Sequence, residues 1–254
     1  MTSRAHSQLS ARQSRIVGAL LGLHAGDSLG ATYEFESHAA MAARRPEDIG
    51  HIVGGGAFAW PAGHATDDTD MARGVLLAYQ DRKPGDDVAR LAGDYFLRWQ
   101  TGDWPGRQTG SSPVDIGVAT LKGLNRYHQT RDPDRAGAGQ GSAGNGSLMR
   151  CLPTGLFQTD RDKLVEESVR ISKVTHDDAR CTVSARDLLI DVVRIGGDTD
   201  TNAAVAGGLL GARDGEEGIP AEWREKLQFA QEFREVALAM TDEQQGTPSR
   251  DREL

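Results

Sequence analysis

The chain is nearly without cysteine, holding only Cys151 and Cys181 in 254 residues. Two thiols so far apart cannot staple a disulfide scaffold or close a zinc knuckle, and both read as ordinary buried or half-buried groups. No apolar run reaches the length of a membrane span. The opening residues "MTSRAHSQLSARQSR" lack the apolar centre of a secretory signal, so the expectation is a soluble cytoplasmic protein with no membrane partner. Positive charge is in short supply as well. With 29 Lys and Arg against 37 Asp and Glu, the net charge is −8, which argues against a nucleic-acid partner. An anionic small ligand held by backbone amides stays possible. Strand-like alternation is also scarce, and the nearest candidate, "GHIVGGGAFAWP", reads better as a loop.

What is present is helical periodicity. Val88, Leu91, Ala92, Tyr95, Phe96 and Trp99 follow the i, i+3, i+4, i+7 rule, as do Phe229, Phe233, Val236 and Met240. The fold class expected is all-α, one multi-helix domain over residues 1–254 with about 1–12 and 241–254 frayed. "HQTRDPDRAGAGQGSAGNG" is a loop by composition. Two helices carry glycine or alanine at every fourth position: Gly18, Gly22, Gly26 and Gly30 in one, Ala203, Gly207 and Gly211 in the other. Each glycine costs a helix roughly 1 kcal/mol against alanine, so such stripes need a compensating gain. Close approach of another backbone supplies one, and the two striped helices are candidates to pack on each other.

Two clusters carry the chemistry. "HATDDTDMARG" crowds Asp67, Asp68 and Asp70 between Thr66 and Thr69, and "GGDTDTNAA" places Asp198 and Asp200 beside Thr199 and Thr201. Like charges this close repel unless a cation sits among them. Both clusters precede helical runs, so N-capping is one reading. One aspartate suffices for a cap, however, and carboxylates with threonine hydroxyls suit Mg²⁺ or Mn²⁺. "GQGSAG" matches a dinucleotide-binding pattern but follows no apolar strand and is a weak signal. "GNGSLMR" is more telling: its small residues let amides approach an anion, with Ser147 placed to open a helix toward a phosphate. Glu34, Asp115 and His176, each structural if taken singly, add carboxylates and a ring.

In this order, "GALLGLHAGDSLGATYEF", "HATDDTDMA", "VDIG", "GNGSLMR", "THDD" and "GGDTDTNAAVAGGLLGA" resemble the ADP-ribosylglycohydrolase family. The resemblance runs from about Gln13 to about Trp223. It implies an all-α domain around two Mg²⁺ or Mn²⁺ ions that bind a terminal ribose and position a water at its anomeric carbon. On that resemblance Thr66, Asp67, Asp68, Asp198, Asp200 and Thr201 are the metal ligands, and Glu34 and Asp115 are the catalytic acids or bases. On the same resemblance Gly144, Asn145, Gly146, Ser147 and His176 hold the substrate; apart from it, the neighbouring Asp70 and Asp177 are candidates to orient ligands. The implied partner is an ADP-ribosylated protein, with ADP-ribose as product and arginine as the linkage. Serine-linked, O-acyl- and poly-ADP-ribose, a non-catalytic ADP-ribose-binding or structural relative, and a metal-dependent phosphohydrolase are the alternatives. One departure stands out: only seventeen residues, Ala179 to Ile195, lie between "THDD" and the glycines, where the family carries several more helices.

Overall fold

The computed structural model describes residues 9–42, 50–178, 181 and 199–245. Among these the only regular elements are helices, as periodicity predicts. In chain order they are α1 (Ala11–Gly30), α2 (His38–Ala42), α3 (Asp67–Asp81), α4 (Val88–Gln100), α5 (Val118–Thr130) and α6 (Leu152–Phe157). α7 (Arg161–Lys173), α8 (Thr199–Asp214), α9 (Ala221–Arg224) and α10 (Ala230–Gln245) follow. "GHIVGGGAFAWP" is a loop closed by one isolated antiparallel bridge between Gly55 and Trp60. No described helix is long and apolar enough to cross a membrane.

Helix starts follow their local chemistry. Ser10 and Gln13 form a reciprocal capping box on α1, with backbone-to-side-chain hydrogen bonds of 3.0 and 3.2 Å. Asp87 caps α4 and Asp160 caps α7. Asp87 also pairs with Arg170 on α7 at 2.7 Å, joining the two helices. At the other end α10 continues as helix to Gln245, past the frayed tail expected after Met240. Buried Thr241 explains part of this, since its hydroxyl bonds back to the Ala237 carbonyl at 2.8 Å rather than to water.

The glycine stripes do pack against each other, and this contact organises the molecule. A Cβ added at Gly22 would stand 2.1 Å from the Gly207 carbonyl oxygen, and one at Gly26 would stand 1.9 Å from that of Ala203. In return, a Cβ at Gly211 would stand 1.8 Å from the Gly18 oxygen. No side chain larger than hydrogen fits, so α1 and α8 meet backbone to backbone. That contact sets the first turn of α8 beside the last turns of α1. The core around it is large and aromatic, with Phe96, Trp99, Tyr127, Phe157 and Phe233 essentially inaccessible to water.

Candidate metal centre

α3 begins at the acidic cluster. Thr66 is its N-cap, its hydroxyl accepting from the Asp68 amide at 3.3 Å, so capping and clustering coexist. The three aspartates of the first turn are not needed for the cap and face different ways. Asp70 points into the core, where it accepts from the indoles of Trp99 at 2.8 Å and Trp104 at 2.7 Å. Burial still raises its pKa to about 7 despite those donors. Asp70 is therefore a core acceptor for two tryptophans rather than an orienter of metal ligands.

Asp27, near the end of α1, was not singled out by sequence reasoning, yet it anchors the whole cluster. Its carboxylate accepts from the Thr66 amide (3.1 Å) and hydroxyl (2.8 Å), and from the Thr69 amide (3.2 Å) and hydroxyl. Burial raises its pKa to about 6, with the threonine donors pulling the other way. The available signal was an isolated acid inside an apolar, glycine-striped helix. Such a residue is rarely buried without a partner.

The second cluster arrives on α8. The Thr201 hydroxyl donates to Asp68 Oδ2 at 3.2 Å, and the Thr201 amide donates to Asp200 Oδ1 at 2.9 Å. Two carboxylate triads result, Asp27–Asp68–Asp200 and Glu34–Asp115–Asp200, each with one oxygen per residue within 4.8 Å of the other two. Asp200 belongs to both. Asp67 belongs to neither; its carboxyl is held well above the ordinary range by burial first, then by Asp115, Asp27, Asp70 and Glu34. Asp198 lies outside the described residues.

The triads offer oxygen alone, which fits a hard divalent cation and not a thiolate- or imidazole-seeking one. The repulsion carried by Asp67 is what such a cation relieves. Asp27 is the exception inside its triad. Its oxygens already take four donors, so it fits the part of positioning Thr66 and the first turn of α3 better than that of a ligand.

Above the triads opens a cavity of about 550 Å³. Glu34, Asp67, Asp115, Asp200 and Thr201 form one wall; Gly144, Asn145, Gly146 and His176 form another. Phe35, 68% exposed, stands at the mouth with a left-handed backbone (φ 66°) that turns the chain directly after Glu34. Thr66 is buried and does not line this cavity. Ser147 is half-buried and does not line the cavity, and residues 146–150 form turns, α6 starting only at Leu152. The expected helix opening at Ser147 is thus absent, because the Leu148 amide bonds to the Asn145 carbonyl at 2.7 Å in a tight turn.

Arg150, quoted in the loop motif but given no role there, holds this wall. Fully buried, it donates to the carbonyls of Gly146 (2.8 Å) and Ile171 (3.0 Å) and to the Thr175 hydroxyl (2.7 Å). That hydroxyl meets His176 Nδ1 at 2.7 Å, so Arg150 sets loop and ring together. Burial, and then the charge of Arg150, depress the His176 pKa to about 3, leaving a neutral ring in the cavity. The acids of "THDD" hold the preceding glycines: Asp177 accepts from the Gly139 amide at 2.6 Å and Asp178 from the Gly141 amide at 2.7 Å. Asp177 therefore fixes the loop rather than orienting metal ligands. Asp67 and Asp115 also line a second, smaller cavity of about 320 Å³.

The family model described as ADP-ribosylglycohydrolase matches residues 8–187 and 183–250. Among curated proteins, the ADP-ribosyl-[dinitrogen reductase] glycohydrolase of Rhodospirillum rubrum is 30% identical over 291 aligned positions, covering 87% of this chain and 92% of the relative. The ADP-ribosylarginine hydrolase Tri1 of Pseudomonas putida (strain GB-1) is 28% identical over 302 positions, covering 90% and 78%. A solved structure titled ADP-ribosylglycohydrolase-related protein complex superposes with a TM-score of 0.73 at 26% identity, over 92% of this chain and 99% of that one. Both curated alignments exceed 254 positions, so those relatives carry segments this chain lacks. The two parts of the family match meet at residues 183–187, inside the stretch that the sequence marks as shortened.

Proposed function

The chain belongs to the ADP-ribosylglycohydrolase family, and from that premise we propose that it hydrolyses the N-glycosidic bond of ADP-ribosylated arginine on proteins. The observation that carries this reading is the pair of carboxylate triads sharing Asp200 at the base of a 550 Å³ cavity. Asp68, Asp200 and the hydroxyls of Thr66 and Thr201 would hold one divalent ion, and Glu34, Asp115 and Asp200 a second. When bound, Mg²⁺ or Mn²⁺ would neutralise the crowded carboxylates and polarise oxygens of ribose and water.

The residues divide the remaining work. Water adds its oxygen to the anomeric carbon, and the bond from that carbon to the guanidine nitrogen breaks with its electron pair going to nitrogen. One proton leaves the water and one is delivered to the departing nitrogen. Cleavage of this kind passes through an oxocarbenium-like state, which a flanking carboxylate stabilises. Glu34 takes the proton from water. Asp115 borders both cavities and delivers the proton on the leaving-group side. Gly144, Asn145 and Gly146 bring small residues and backbone against the ribose and diphosphate, a lining whose amides suit an anion. Neutral His176 offers a ring face without adding charge.

The test incubates the protein with ADP-ribosyl-arginine and ADP-ribosyl-serine peptides, with Mg²⁺ or Mn²⁺ and with chelator, and measures free ADP-ribose by chromatography. Release from the arginine peptide that stops with chelator is the expected result. Release from the serine peptide alone would reassign the linkage, and release of inorganic phosphate would replace the reaction class.

A further inference from the structure

We propose that the second cavity, about 320 Å³ beside Asp67 and Asp115, receives the guanidinium of the modified arginine, with Trp60 and His64 as its stacking wall. The inference rests on the reaction assigned above and names where its leaving group sits. Asp67 and Asp115 are shared: both line the larger cavity and both line this one. A bond cleaved beside them leaves the sugar in one cavity and its aglycone in the other.

The lining suits a planar cation. The Trp60 and His64 rings lie 4.5 Å apart at 16°, a stacked aromatic surface against which a guanidinium plane can lie. The side chains of Asp67 and Asp115 line the same space and offer oxygen acceptors to its N–H groups. The cavity's one arginine, Arg107, is already committed to the carbonyls of Trp99 at 2.6 Å and Ser111 at 2.7 Å. The Trp60 indole N–H is buried with no acceptor among the described residues, which leaves it for a carbonyl of the entering peptide. Val114, 68% exposed at this cavity, gives the peptide's apolar atoms a surface beside the entrance. The volume far exceeds what a seryl oxygen and methylene require.

The experiment is calorimetric titration of the full chain, with Mg²⁺ and ADP-ribose present, using agmatine as a bare guanidinium probe. Its neutral isostere, N-carbamoylputrescine, serves as control. Agmatine should bind the wild type at least tenfold more tightly than the isostere. Trp60→Ala should weaken it at least tenfold while changing ADP-ribose affinity less than twofold, and Trp60→Phe should keep it within threefold. With ADP-ribosyl-arginine peptide, Trp60→Ala should raise KM about tenfold and kcat much less. Equal binding of agmatine and isostere, or agmatine affinity unaltered in a folded Trp60→Ala, overturns the assignment whatever the turnover. Failure to release ADP-ribose from any ADP-ribosylated peptide overturns the reaction itself, whatever agmatine does.

Discussion

Thr201 and Asp68 are 133 residues apart in the chain, yet the threonine hydroxyl donates to the Asp68 carboxylate at 3.2 Å. That bond brings the two acidic clusters to one place. α1 lies between them: Asp27 anchors the first turn of α3, and the glycine stripe anchors the first turn of α8. Moving either anchor moves a ligand.

Divalent ions should stabilise the protein through that junction. A ligand bound only by the folded state contributes about 2.7 kcal/mol at a hundred times its Kd. Thermal melts should therefore shift upward with millimolar Mg²⁺ or Mn²⁺ and return with chelator. In Asp200→Asn, which removes the carboxylate common to both triads, the metal-dependent shift should vanish and turnover should fall to background.

Asp27→Asn should weaken metal without removing a ligand. The amide keeps the size but presents an NH₂ to donors from Thr66 and Thr69, so the first turn of α3 loses its fixed position. Losses from such supporting residues run roughly 10–100-fold in metal affinity. Titrating Mn²⁺ by its paramagnetic resonance signal measures this directly, and an unchanged Kd would return Asp27 to a purely structural part.

Gly207→Ala should destabilise although alanine is the better helix former. The propensity gain is about 1 kcal/mol, while the added Cβ would lie 2.0 Å from the Gly22 oxygen, a clash that must push two backbones apart. Overpacking typically costs about 1–3 kcal/mol even where side chains can yield. Urea unfolding should show a net loss, and metal affinity should drop with it because α8 carries Asp200 and Thr201.

Replacing Arg150 by methionine leaves the carbonyls of Gly146 and Ile171 without their charged donor. Hydrogen bonds to charged groups contribute about 1.5–3 kcal/mol each, so the loss should exceed that of an ordinary core substitution. ADP-ribose affinity, read by calorimetry, should fall alongside stability, since the Gly144–Gly146 loop and His176 are set by the same guanidinium.

Acid should unfold the protein partly through His24. It is fully buried against Phe229 and Phe233, and burial lowers its pKa to about 3, a pull that the Gly63 backbone offsets only in part. The unfolded state binds a proton near pH 6.5 and the folded state does not. The stabilisation present above pH 6.5 is therefore lost as pH falls toward 3, at a slope approaching 1.4 kcal/mol per pH unit, about one proton's worth. Repeating the pH series with His24→Leu should flatten this component, and an unaltered slope would count against it.

Local pattern carried the helices, the striped pair, the Thr/Asp clusters and the loop at Gly144, since periodicity and short spacings are properties of neighbouring residues. The readings that needed change were those in which a side chain had several partners open to it. Asp70 turned to two tryptophans, Asp177 to the Gly139 amide, and Ser147 into a turn beside the cavity rather than a helix start within it. Asp27, an acid alone in an apolar helix, showed that it needed partners but not which ones, and Arg150 showed neither, because their partners come from segments far along the chain. The sequence alone settled that this chain is helical and that it concentrates carboxylates in two short segments. Only the packed structure decided which of those carboxylates meet, because that depends on how closely α1 and α8 can approach, and glycine lets them approach to backbone contact.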